Sequence, residues 1–196
     1  MEQNVVTILK SNGIAVVATD TLYGILGAAY NEAVVRRIYE LKGRDENKPF
    51  IILIPTIETL TQFGIVLSDS EKEKMSQWWP APLTVILPIP EDRQEQFSYL
   101  HRGTNEIAFR MPDKGSLRAL LQETGPLVAP SANPQGQAPA QTIEMAKEYF
   151  GDNVDYYADE GEVQGQPSTI IRLHNGAITL IRQGVYSIDL FIIMLL

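Results

Sequence analysis

Short apolar runs alternate with capped helical segments along almost the whole of this chain, and that alternation restricts the fold more than any other feature. Ile14-Ala15-Val16-Val17-Ala18, Phe50 to Ile54, Leu83 to Leu87 and Leu127 to Ala129 have the length and composition of buried strands. Helical signals stand between them. Asn4 can cap a helix to Lys10, with Gly13 as its stop. Asn31 can cap one from Glu32 to Lys42 that puts Val34, Ile38 and Leu41 on one face, with Gly43 as its C-terminal stop. Ser68 and Glu71 have capping-box spacing and open a helix to about Gln77. Ser116 and Thr142 are the expected caps of helices reaching Thr124 and Phe150.

Glu106 to Met111 alternates, which sets Ile107, Phe109 and Met111 on one face and Ala108 and Arg110 on the other. Asn175-Gly176 lies between Ser168–Leu173 and Ile178–Arg182, a strong hairpin signal. Trp78 to Pro82 is a stiff aromatic turn, and the polar stretch from Glu91 to Asn105 is expected to be a long surface loop. Strands alternating with helices and closed by a hairpin predict a mixed α/β (α+β) fold, a twisted sheet of parallel and antiparallel strands flanked by helices. All 196 residues fit one domain, and 44% apolar content is enough for its core.

Composition removes several functions. With no Cys there is no thiolate nucleophile or Cys-based metal site, and the two His, His101 and His174, are too few and too far apart for a histidine site. A net charge of −8 argues against a broad nucleic-acid surface. The start of the chain has no signal-peptide pattern, and the apolar run Leu190–Leu196 is far short of the roughly 20 residues that span a bilayer. A cytoplasmic enzyme, off the membrane, is the expectation. Ile188–Leu196 is expected to dock on the domain's own sheet or on a second copy, with Ser187 as a helix cap.

The polar groups at strand ends and in loops are Thr19, Thr21, Lys42, Arg44, Lys48, Arg110, Ser131, Asn133, Ser168 and Arg182. Five of them are cations. Guanidinium forks and a lysine suit phosphate and carboxylate, so convergence of these groups would make a site for a polyanion. On spacing alone each has a plainer reading. Lys42 and Arg44 also suit a helix C-terminus. Ser131 and Asn133 suit turns beside Pro130 and Pro134. Arg110 suits a solvated strand face, and Thr19 and Thr21 suit an ordinary strand end. No Gly-x-x-x-x-Gly-Lys-[Ser/Thr] or Gly-x-Gly-x-x-Gly motif is present.

Taken in order, these segments resemble the YrdC/TsaC family of threonylcarbamoyl-AMP synthases. Thr19-Asp20-Thr21-Leu22-Tyr23-Gly24 is similar to its Pro-Thr-Asp-Thr-Val-Tyr-Gly, with Ala18 in place of Pro. Lys42-Gly43-Arg44 and Lys48-Pro49-Phe50 resemble Lys-x-Arg and Lys-Pro-Leu. Trp79-Pro80-Ala81-Pro82-Leu83-Thr84, Arg110-Met111-Pro112, Pro126 to Asn133 with Gly136, Pro167-Ser168-Thr169 and Arg182-Gln183-Gly184 resemble the remaining motifs.

The resemblance implies synthesis of threonylcarbamoyl-AMP and diphosphate from L-threonine, bicarbonate and ATP, with Mg2+ on the triphosphate. The product would go to downstream transferases that modify the tRNA adenosine next to the anticodon, with tRNA itself a candidate partner. By motif, Thr21, Arg110, Ala129 and Ser168 would line the threonine site. Arg44, Lys48, Ser131, Asn133 and Arg182 would hold ATP. Lys42, with Arg44, would be catalytic by neutralising developing phosphate charge. No protein side chain is expected to ligate a metal. Two departures stand out: Leu53 occupies a position where some members have His, and Pro139-Ala140-Gln141-Thr142 replaces the usual Ser-Pro-Thr. Two other readings stay open, a non-catalytic nucleotide- or RNA-binding module and a carbamoyl-AMP-forming enzyme.

Overall fold

The structure is a computed structural model that describes residues 3–45 and 47–187. The expected docking of Ile188–Leu196 lies outside the described residues. In chain order the elements are α1 (Gln3–Lys10), β1 (Ala15–Ala18), β2 (Tyr23–Ala28), α2 (Glu32–Lys42), β3 (Ile51–Leu53), a 3-10 helix (Ile57–Phe63) and α3 (Asp69–Trp78). There follow β4 (Leu83–Pro88), α4 (Glu91–Gln94), α5 (Ser98–His101), β5 (Glu106–Arg110), α6 (Gly115–Thr124) and β6 (Leu127–Val128). The last are α7 (Ile143–Phe150), a 3-10 turn (Gly151–Asn153), β7 (Tyr156–Tyr157), β8 (Thr169–His174) and β9 (Ala177–Arg182).

Among the described residues the strands form one nine-stranded mixed sheet in the order β7-β1-β2-β6-β3-β5-β4-β8-β9. β3 runs parallel to β5, and β4 parallel to β8; β4 is antiparallel to β5, and β8 to β9. The expected α/β architecture is therefore the one observed.

Local chemistry explains most boundaries. Asn31 Oδ1 accepts from Val34 N–H at 3.2 Å and starts α2. Gly43 ends it at φ 55°, ψ 34°, and that left-handed turn lets Arg44 N–H reach back to Tyr39 O at 3.1 Å. Ser68 and Glu71 form the full capping box of α3. α6 starts at Gly115 with Lys114 as the flanking residue, so Ser116 is not its cap, and α1 starts at Gln3, one residue before Asn4.

Two segments depart from the expected pattern. Residues 91–105 fold into two single-turn helices, because Phe97, Leu100 and His101 are buried there. His101 is satisfied within that segment: its Nε2 pairs with Gln94 O at 2.8 Å and its Nδ1 accepts from Gly103 N–H at 3.1 Å. The strand β2 carries two glycines that hide its alternation. A Cβ at Gly27 would lie 2.5 Å from Val34 Cγ1, so glycine is what lets α2 pack against this strand.

The core lies on both faces of the sheet. One face, with Val16, Ile25, Phe109 and Ile171, packs against Ile38, Phe63, Met75 and Phe150. On the other, α1 and α6 cover only the half formed by β1, β2, β6 and β3, through Val5, Leu9, Leu117 and Leu121. The rest of that face, where Ile86, Ala108 and Ile170 are half-buried, is the floor of a cleft. Leu53 is fully buried against the α6 leucines and does not line the cleft.

Candidate active site

The cleft has a volume of about 370 Å³. Strand register orders its floor. Ile51, Ala108, Ile86 and Arg172 form one continuous row across β3, β5, β4 and β8. Thr84, Ile170 and Arg182 form the neighbouring row.

One end is built by the turn between β1 and β2. Thr19 Oγ1 donates to Leu22 O at 2.7 Å and accepts from the N–H groups of Thr21 and Leu22 at 3.1 Å each. Such a hydroxyl turn fixes the backbone locally. It holds the Thr21 hydroxyl where Arg110 Nη1 donates to it at 3.1 Å. Arg110 Nη2 lies 3.1 Å from Asp20 Oδ1, and both side chains are buried. Asp20 Oδ2 in turn accepts from Asp113 N–H at 3.1 Å. The alternation that set Arg110 opposite Phe109 is correct, but the guanidinium is buried rather than solvated. Burial pulls its pKa down, Asp20 opposes that, and Arg182 adds to it.

Arg182 Nη2 donates to Ser168 O at 2.8 Å, and the Ser168 hydroxyl pairs with Thr84 Oγ1 at 2.9 Å. Two strands thus deliver a second guanidinium and a buried hydroxyl to the same end. A strap formed by residues 160–167 closes over it. Tyr23 OH donates to Gly161 O at 2.8 Å, and Val163 N–H donates to Gln141 O at 2.8 Å. A Cβ at Gly165 would fall 1.6 Å from Thr21 O, so only glycine lets the strap press on this turn.

The other end is built by α2 and the loop after β6. Arg44 Nε donates to Lys48 O at 3.1 Å, and its guanidinium lies 5.3 Å from the Phe50 ring centroid. Ser131 Oγ donates to Asn133 Oδ1 at 2.5 Å, and Asn133 Nδ2 donates to Pro134 O and Gln137 O at 2.9 and 2.8 Å. Lys42 Nζ donates to the backbone oxygens of both Ser131 and Asn133. Burial first, then the charge of Arg44, lowers the Lys42 pKa to about 7.

Among the residues expected from the sequence, Thr21, Arg44, Arg110, Ala129, Ser131, Ser168 and Arg182 line the cleft, as does Thr19. Lys42, Lys48 and Asn133 do not. Lys42 is 2% exposed and stands behind Ser131. Lys48 points to solvent, 3.9 Å from Asp45. Asn133 spends its amide on the loop. Sequence reasoning passed over Asp20, Thr84, Glu106 and Arg172. The alternation that placed Ala108 with Arg110 also places Glu106 with them, and Ser168, Ile170 and Arg172 share a face for the same reason.

Guanidinium groups at both ends of the cleft, with hydroxyls beside them, suit anionic groups. Among the described residues no three His, Asp or Glu side chains come together as a metal site. No helix among them is long and apolar enough to cross a membrane.

The family profile Sua5_yciO_yrdC, described as telomere recombination, matches residues 7–184. The threonylcarbamoyl-AMP synthase of Marinobacter nauticus is 33% identical over 170 residues, 85% of this chain and 87% of its own. That of Bacillus subtilis is 32% identical over 180 residues, 90% of this chain and 51% of its own. The crystal structure of Pyrococcus abyssi Sua5 complexed with L-threonine superposes at a TM-score of 0.81 with 29% identity, covering 92% of this chain and 53% of that one. The chain thus spans about half the length of the Bacillus and Pyrococcus relatives and most of the Marinobacter one.

Proposed function

This chain belongs to the Sua5/YciO/YrdC family, and from that premise we propose that it is an L-threonylcarbamoyladenylate synthase, a nucleotidyltransferase. The observation that carries the proposal is the convergence of Arg44, Arg110 and Arg182 on one cleft with the hydroxyls of Thr21, Ser131 and Ser168.

Threonine and bicarbonate condense to a carbamate with loss of water. A carbamate oxygen then attacks the α-phosphorus of ATP, and diphosphate leaves with the electrons of the broken P–O bond. Such a reaction needs positioning and charge neutralisation more than a protein nucleophile. Arg110, held by Asp20, pairs with the threonine carboxylate. Thr21 and Ser168 meet its polar groups beside Ala129. Arg44, Ser131 and Arg182 take the nucleotide's phosphates. Lys48 is exposed beside the Arg44 loop and reaches the outer phosphates only if it leaves Asp45. Asn133 and Lys42 act by holding the Ser131 loop in place, Lys42 adding positive charge behind it.

The cleft lining does not fit a resident metal, since among the described residues Glu106 is the one acid there and it is paired with Arg172. Mg2+ would arrive as the counter-ion of the triphosphate and neutralise part of its charge. The product would be consumed by downstream transferases that modify tRNA adenosine next to the anticodon. An ATP–diphosphate exchange assay tests the reading. Exchange that requires both threonine and bicarbonate is expected, and exchange indifferent to threonine would overturn it.

A further inference from the structure

β3 and β5 lie side by side and run parallel, but the chain leaves their carboxyl ends in opposite directions. After β3 it crosses one face of the sheet through the 3-10 helix and α3, where Leu60, Phe63 and Met75 join the core. After β5 it crosses the other face through α6, with Leu117 and Leu121. Neighbouring connections that part in this way open a crevice, and open α/β sheets take ligands at such points. The crevice here has a volume of about 510 Å³, and none of its lining residues lines the cleft. The two back onto one loop. Met111 and Gly115 line the crevice, while Arg110 lines the cleft and Asp113 N–H donates to Asp20 Oδ2.

One wall of the crevice is a stripe of α6. Gly115, Arg118, Ala119 and Gln122 recur at three- and four-residue steps and so share a face. Arg118 stands apart from the other arginines of the described residues. Arg36, Arg37, Arg93, Arg110 and Arg172 pair with carboxylates, Arg44 and Arg182 donate to carbonyls, and Arg102 lies over the Tyr39 ring. The Arg118 guanidinium has no ion pair among the described residues, and its Nε is buried without an acceptor. Because Nε is covered, the two Nη groups are what remain to meet a ligand.

The facing wall is the first turn of the 3-10 helix, which carries Glu58. Its own backbone N–H, then the Thr56 hydroxyl, hold the Glu58 carboxyl below its ordinary value, so it is charged at neutral pH. Glu58 and Arg118 line the same crevice, yet they do not approach within the 4 Å of an ion pair. Much of the remaining lining is apolar, with Pro55, Ile57, Trp79 and Met111. Opposite charges that share a crevice without pairing complement a ligand that carries both. A phosphate would be repelled by Glu58, and a simple amine by Arg118. An amino acid brings a carboxylate for one and an ammonium for the other, and an apolar side chain suits Ile57 and Met111.

We propose that this crevice is a second ligand site, for the zwitterion of an apolar amino acid, with Arg118 donating to the carboxylate and Glu58 accepting from the ammonium. The site is independent of what the cleft binds.

The test is titration of the full chain with L-leucine, L-methionine and L-phenylalanine, followed by proton–nitrogen correlation spectra. Saturable shifts of the Gly115, Ala119 and Gln122 amides and of the Arg118 Nε–H signal are expected with at least one of them. The amide and the N-acetyl derivative of that amino acid each lack one charge, and each is expected to bind about tenfold more weakly or worse. Arg118→Met and Glu58→Gln are expected to lose the same factor, with melting curves establishing that each is folded. Ala119→Phe fills the crevice from an exposed position and is expected to abolish the shifts. Three outcomes would overturn the site: no shift with any of the three, shifts confined to cleft residues such as Thr21 and Ser168, or undiminished affinity for either derivative or in any folded variant.

Discussion

The guanidinium of Arg110 and the carboxylate of Asp20 meet at 3.1 Å with about 5% of either side chain exposed. A pair this buried is costly to break from one side, because the surviving charge loses its counter-charge without regaining water. Asp20→Ala is therefore expected to destabilise the fold by about 3–5 kcal/mol and to free Arg110 from its orientation. Urea unfolding measures the first effect and the KM for threonine the second. A stability loss under about 1 kcal/mol would show that the pair is not what holds Arg110 in place.

Arg44 is held by two backbone carbonyls and the Phe50 ring, and no carboxylate pairs with it within 4 Å among the described residues. Its charge is thus available to a phosphate. Arg44→Ala is expected to weaken ATP binding by about 1.5–3 kcal/mol, the worth of one charge-assisted contact, with little change in melting temperature. An unaltered dissociation constant for ATP would remove Arg44 from the nucleotide site.

The lowered pKa of Lys42 gives a proton-linked prediction. With a value of about 7 in the free protein, the amine is largely neutral at pH 8. Phosphates arriving beside Ser131 favour the charged form and raise that pKa. Nucleotide binding should therefore take up protons above pH 7, and affinity should fall as pH rises through that window. Titrations in two buffers of different ionisation enthalpy would count the protons, with Lys42→Met subtracting those taken up by the nucleotide. Equal proton uptake in the variant would show that Lys42 does not titrate with binding.

Thr21 and Ser168 supply hydroxyls that are buried and already engaged within the cleft. A site that bonds a substrate hydroxyl rejects an analogue lacking it, because its own polar groups are left unpaired. Threonine is expected to exceed valine in kcat/KM by about 100-fold or more, and Ser168→Ala to narrow that gap. Comparable turnover of the two amino acids would place the hydroxyl outside these contacts.

What could be read from the sequence depended on whether the signal was local. The α2 boundaries follow from Asn31 and Gly43 alone, and the hairpin from Asn175-Gly176, since caps and tight turns are decided within a few residues. β2 was invisible because two glycines hide its alternation, and one of them, Gly27, serves a helix that comes later in the chain by lying under Val34 and Ile38. The segment 91–105 looked polar, yet Phe97 and Leu100 anchor it. Residue types suited to anions were legible, but their final geometry was not. Lys42 and Arg44 are separated only by Gly43, and the left-handed turn at that glycine sends one behind the Ser131 loop and the other into the cleft. Asp20 carried no sign of its role, because its partner is ninety positions away, across the sheet.

The same long reach has a consequence for how the molecule comes into being. The cleft takes Thr19 and Thr21 from one end of the chain and Arg182 from the last strand of the sheet, which pairs with β8 at its outer edge. A ribosome delivers these parts in order, and no substrate can be gripped by the early ones alone. Ligand stabilisation acts only on a state that binds, so small molecules cannot rescue a partly made chain. The nascent domain must stand on its core until β9 has emerged, and only then can substrate lend its own free energy to the folded state.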